Sequence, residues 1–212
     1  MSNYLKNNYF YISDYLIEME FKQKFYDITN LIQQEFDRNV LKYGDKLKCR
    51  RGCSGCCSQL FRITGMDAYI IREHIKILPL EEQVRLRKNA EQYLKKVSEL
   101  KTGDSSNVSD DTIKKGDIPC PALGSEGECT IYEARPVVCR RFGIPIYDYK
   151  NPDNIYACGL NFSPGEEIND DDLIPNQTAI GMKWDELKDE FNESELRSMS
   201  AVSTTIAEAI LK

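Results

Sequence analysis

The chain has 212 residues and a formal net charge of −6, from 28 Lys and Arg against 34 Asp and Glu. That length can bury a core unaided, so its eight cysteines are not staples for a chain too small to fold. The acidic balance argues against nucleic-acid binding, which calls for a basic footprint.

The first ten residues, Met1 to Phe10, hold no apolar run of signal-peptide length, and no window is apolar enough to span a bilayer. The expected location is the cytoplasm, away from membranes, where thiols stay reduced. Thiols this dense in a reducing compartment usually hold a metal.

In chain order, residues 16–42 read as a long amphipathic helix. Phe21, Phe25, Ile28, Ile32, Phe36 and Val40 recur at three- and four-residue steps, and Gly44 is the stop. Tyr4, Tyr9, Tyr11 and Tyr15 are read as packing for the N-terminal segment. A first cysteine block follows in a loop with Gly52 and Gly55: Cys49, Cys53, Cys56 and Cys57, in the pattern C-x3-C-x2-C-C.

Thr64-Gly65-Met66-Asp67 resembles a capping box and predicts a helix start, with Ala68, Ile71, Ile75 and Leu78 as the buried stripe. Pro79 suits the first turn of the next helix, which Leu86, Ala90, Tyr93, Val97 and Leu100 carry to about residue 101. Residues 102–117 are polar and read as a mobile loop. His74, mid-helix, reads as a surface or packed residue rather than a ligand.

The second block holds Cys120, Cys129, Cys139 and Cys158. Residues 124–127 predict a turn, 129–132 a short strand, and 135–142 one or two helical turns entered through Pro136. A hairpin is expected to join 144–149 to 155–158. Asp170-Asp171-Asp172 reads as solvated loop charge, because no calcium-loop spacing follows. Helices are predicted near 182–191, with Trp184, Leu187 and Phe191 on one side, and over about 194–211, with Leu196, Met199, Val202, Ile206 and Ile210 as the stripe.

Thiolates suit zinc, iron–sulfur clusters and copper(I). Cys53 and Cys56, two residues apart across Gly55, can grip one centre. Cys56 and Cys57 are adjacent, and adjacent side chains diverge. They address two metals, or different atoms of one polynuclear cluster, more naturally than one tetrahedral zinc. A buried, inert Cys57 is the plainer alternative, and a Cys56–Cys57 disulfide a minor one. Arg135, Arg140 and Arg141, with Arg50 and Arg51, flank the thiols. Such cations offset thiolate charge or receive the carboxylate or phosphate of a cofactor. Solvated arginine is the plain reading.

The C-x3-C-x2-C subset also resembles the radical S-adenosylmethionine signature. The strand–helix alternation of that superfamily's barrel is missing, so the chain is not assigned there.

Together the two blocks resemble the YkgJ-like cysteine-cluster family of zinc- or iron-chelating domains. The residues that carry the likeness are Cys49 to Cys57, Pro119-Cys120-Pro121 and Cys129-Thr130-Ile131-Tyr132-Glu133-Ala134-Arg135-Pro136-Val137-Val138-Cys139-Arg140, with Cys158 as the late cysteine. The resemblance implies metal chelation, by zinc or an iron–sulfur cluster. Some members are linked to flagellin lysine N-methylation, so S-adenosylmethionine and a protein substrate are implied at family level only.

The expected fold is mainly α with one or two short β-hairpins, compact and organised around a cysteine-rich metal centre. It divides into a helical segment 1–48, a metal-binding region 49–158 and a helical segment 159–212 within one structural domain. Three functions compete: an iron–sulfur protein with redox or methyl-transfer chemistry, a zinc-stabilised binding or scaffold module, and a thiol redox protein.

Overall fold

A computed structural model describes residues 2–50, 52–102, 118–194, 196 and 203–212, with side chains from 16–50, 52–100, 118–194, 196 and 204–212. The 103–117 stretch of the expected loop, the side chains of Tyr4, Tyr9, Tyr11 and Tyr15, and the stripe residues Met199 and Val202 lie outside these.

Helix α1 (Ser2–Tyr43) ends where Gly44 takes a φ of +52°, a conformation glycine adopts without steric cost. A short strand β1 (Arg62–Thr64) leads into α2 (Gly65–Lys76) through a full capping box. The Thr64 side chain accepts from the Asp67 backbone N–H, and the Asp67 carboxylate accepts from the Thr64 N–H. Helix α3 (Leu80–Thr102) begins directly after Pro79, whose carbonyl accepts from the Gln83 N–H at 3.1 Å. Leu86, Ala90 and Tyr93 are its buried stripe, whereas Leu100 is exposed.

The expected strand at 129–132 is absent as such. A single bridge pairs Leu123 with Cys129, and a 3-10 turn at Tyr132–Ala134 follows. Pro136 caps α4 (Val137–Arg141). The hairpin of β2 (Ile146–Tyr147) and β3 (Ile155–Tyr156) forms antiparallel, as expected.

Helix α5 (Leu173–Glu193) starts nine residues earlier than its apolar pattern indicates. Pro175 sits in the first turn, where a proline loses only a hydrogen bond that no helix makes. The single C-terminal helix expected to 211 is likewise corrected. Ser203–Thr205 forms β4, antiparallel to β1 with Ile63 opposite Thr204, and α6 (Ile206–Leu211) starts only after it. A second capping box, Thr205 with Glu208, sets that boundary.

The fold is therefore mainly helical, with two short two-stranded sheets among the described residues. Helix α5 lies along α1, and α6 packs on α2 and α3. Phe21 meets Phe191 edge-on at 6.0 Å between ring centres, and Phe25 meets Trp184 at 6.1 Å. No described helix is long and apolar enough to cross a membrane.

The α1 stripe changes character halfway. Buried positions run Phe21, Phe25, Ile28, Ile32, then Glu35 and Asn39, keeping alternating four- and three-residue steps. The apolar Phe36 and Val40 rotate off this face, and Val40 is exposed. Glu35 is buried because Arg38 engages both its oxygens, at 2.7 and 2.8 Å, and Asn176 donates to it at 2.8 Å. Arg38 also bonds Asp170 at 2.8 and 3.0 Å. Asp170, read from sequence as solvated charge, has no side-chain exposure. Only the tertiary approach of residue 170 to α1 supplies the cation that makes this burial tolerable.

Candidate metal centre

The thiol blocks are carried on backbone that the helices bracket. After α1, the chain turns at Gly52, where φ is +88°, and makes a 3-10 turn over Gly55–Ser58 that presents Cys56 and Cys57. The second block docks on the first through main chain, the Cys120 N–H donating to the Cys57 carbonyl at 2.6 Å. Cys139 rides on α4. That helix is pinned to α2 because buried Asp67, besides capping α2, accepts the Val137 N–H at 3.0 Å.

This construction turns Cys49, Cys53, Cys56, Cys57, Cys120, Cys129 and Cys139 onto one cavity of about 530 Å³. Phe36, Phe61, Ile131, Phe142 and Ile206 line it between the thiols, and Arg135 joins them. Cys158 is not among the lining residues, but its charge is felt at Cys49. All eight thiols are free and partly buried. Among the described residues, no three His, Cys, Asp or Glu side chains already meet as the ligands of one ion.

The electrostatics single out Cys56. A hydrogen bond from the Cys57 thiol, helped against burial by the nearby Arg135 guanidinium, holds the Cys56 thiol down to about 6. The same bond, then burial, drives Cys57 upward. Burial raises Cys49, Cys129 and Cys139, and pushes Cys120 up to about 12. The Cys56 charge acts on Cys49, Cys57, Cys120, Cys129 and Cys139, so it sits between thiols of both blocks.

The arginines divide. Arg140 donates to the main-chain carbonyls of Arg135, Tyr132 and Glu133 at 2.7 to 3.2 Å, closing the turn before α4. Arg141 donates to Gln177 at 2.7 Å and ties α4 to α5. Arg135 stacks over the Tyr132 ring at 4.8 Å, and its buried Nε has no partner among the described residues. His74 is half-buried on α2, and burial lowers its pKa.

Sequence reasoning passed over Asn161. It is buried, donates to the Cys49 sulfur at 3.3 Å and accepts from the Lys48 N–H at 2.9 Å. Its position three residues after Cys158 was the only local signal.

Soft, free thiols from both halves of the chain converging on one partly apolar cavity define a thiolate metal-binding protein. The chain belongs to the CxxCxxCC family, whose model, described as a "putative zinc- or iron-chelating domain", matches residues 48–154. No curated protein and no solved structure matches the chain.

Proposed function

We propose that the thiol cavity holds an iron–sulfur cluster. The supporting observation is the placement of Cys56 and Cys57, adjacent in sequence, on the wall of one cavity with five further thiols. A tetrahedral zinc takes four ligands, and this donor set exceeds one such site. Cys49, Cys53 and Cys158 form one group of candidate ligands; Cys57, Cys120, Cys129 and Cys139 form the other, with Cys56 between them. Ligation requires their side chains to rotate inward, because the sulfurs do not yet meet at one point.

A bound cluster would supply electron transfer, or an open iron for S-adenosylmethionine. The chain's own residues do the rest. Arg135 offsets thiolate charge beside Cys56, Cys129 and Cys139. Phe61, Ile131 and Phe142 limit water at the sulfurs. Free thiols in this number suit a reducing cytoplasm. Methyl transfer to a protein substrate rests on the family resemblance alone, and saturable S-adenosylmethionine binding is its test.

One observation favours zinc as a structural element instead. Cys120, Cys129 and Cys139 pack directly against the hydrophobic core, where a closed metal site would contribute to folding. Anaerobic purification followed by metal and acid-labile sulfide analysis separates the two. Brown protein with stoichiometric iron and sulfide supports the cluster. Colourless protein with zinc and no sulfide sinks it.

A further inference from the structure

We propose that Asn161 is a positioning residue for the Cys49 sulfur, setting how firmly that thiolate binds metal. The proposal rests on the thiol cavity being a metal centre, but its residue lies outside the 48–154 match and outside the cysteine motifs. The geometry is specific. Asn161 Nδ2 donates to Cys49 Sγ at 3.3 Å and to the Gly143 carbonyl at 2.8 Å. Its Oδ1 accepts from the Lys48 N–H at 2.9 Å, and its own N–H bonds the Cys158 carbonyl at 2.9 Å.

One residue thus joins the residue before Cys49, the stretch of chain leaving α4, and the turn that carries Cys158. The sulfur also rests against Gly143, whose φ is +120° and where a Cβ would lie 2.5 Å from Cys49 Sγ. The sulfur therefore has a built seat: a donor and, beside it, a glycine that leaves it room. An N–H donor to a thiolate stabilises its charge and fixes its orientation, and such supporting partners of metal ligands are costly to lose.

The test is cobalt(II) titration against a competing chelator, under anaerobic conditions, with the full chain. Asn161→Asp keeps the acceptor for Lys48 and removes the donor to sulfur. It should weaken cobalt binding about 10- to 100-fold and alter the thiolate-to-cobalt charge-transfer bands. In a Cys49→Ala background the same change should cost less than about twofold, because its target is gone. An equal loss in both backgrounds makes Asn161 a purely architectural residue and overturns the proposal. So does an unchanged affinity in the Asn161→Asp protein, which leaves the metal centre standing. Wild-type protein that binds no cobalt defeats the metal centre itself, and the inference with it. A measurement without substitution covers a variant that fails to fold. In cadmium-113-loaded wild-type protein, the Asn161 side-chain amide proton should couple to the metal through the Cys49 sulfur. The absence of that coupling would also overturn the proposal.

Discussion

At Cys56 and Cys57 two identical side chains, one peptide apart, acquire opposite properties. Cys56 receives a hydrogen bond and a nearby guanidinium, while Cys57 gives the proton and faces further thiols. In metal-free protein, Cys56 should therefore be the fastest thiol to alkylate near neutral pH. Its rate should titrate with a midpoint of about 6. Cys57→Ala removes the donor and should move that midpoint up toward the ordinary thiol value of about 8.5, read by mass spectrometry of alkylation against pH. A midpoint that stays put would show that Arg135 alone sets the thiolate. For metal binding, Cys53→Ser or Cys56→Ser should lose most of the bound metal. Full retention in Cys57→Ser would show Cys57 to be a buried bystander.

Among the elements, the two capping boxes do different work. Thr205 and Glu208 end a strand and start a helix within a single residue. Thr205→Ala should cost about 1 kcal/mol in urea unfolding, the usual worth of an N-cap side chain. Asp67 does more, since its carboxylate caps α2 and also holds the first N–H of α4. Asp67→Ala leaves two N–H groups without their acceptor and should cost about 2–4 kcal/mol. Because α4 carries Cys139, the same variant should expose that thiol to alkylation in metal-free protein faster than wild type. An unchanged Cys139 rate would show that core packing alone holds α4.

Over the whole molecule, buried charge pairs join α1 to the segment before α5, beside the edge-on contact of Tyr43 with Phe162. Burial opposes ionisation of Glu35 and Asp170, yet Arg38, with Asn176 and Lys42, holds both below the ordinary carboxylate range. A carboxylate depressed in the folded state adds stability above its unfolded pKa, and that stability is lost as pH falls through the folded value. Acid should therefore destabilise the protein below about pH 4, and Arg38→Ala should remove about 3 kcal/mol at pH 7 by taking the guanidinium from buried Glu35 and leaving Asp170 with Lys42 alone. Urea midpoints at pH 7 and pH 4 check this, with the variant less sensitive to the change. Metal binding should weaken in acid as well, through protons held by thiols. With Cys49, Cys57, Cys120, Cys129 and Cys139 all raised, metal must displace protons. Affinity should rise about tenfold per pH unit for each proton released. Chelation should lower the melting temperature.

The amino-acid sequence by itself determined the eight-thiol inventory, the family, and the elements whose signals are local. These include the stop at Gly44, the capping box at Thr64, the Pro136 entry to α4 and the 146–156 hairpin. Each depends on residues within a few positions of one another, where backbone preference and periodicity act directly. The tertiary structure decided what depends on distant groups. Asp170 is buried because Arg38 reaches it across 132 positions. Residues 203–205 are strand because β1 offers an edge. The α1 stripe continues through Glu35 because α5 brings Asn176. For the same reason, sequence could count the thiols but could not show that seven face one cavity, or that Asn161 lies against the sulfur of Cys49. Spacing along a chain constrains near neighbours, whereas hydrogen bonding and charge pairing act through space.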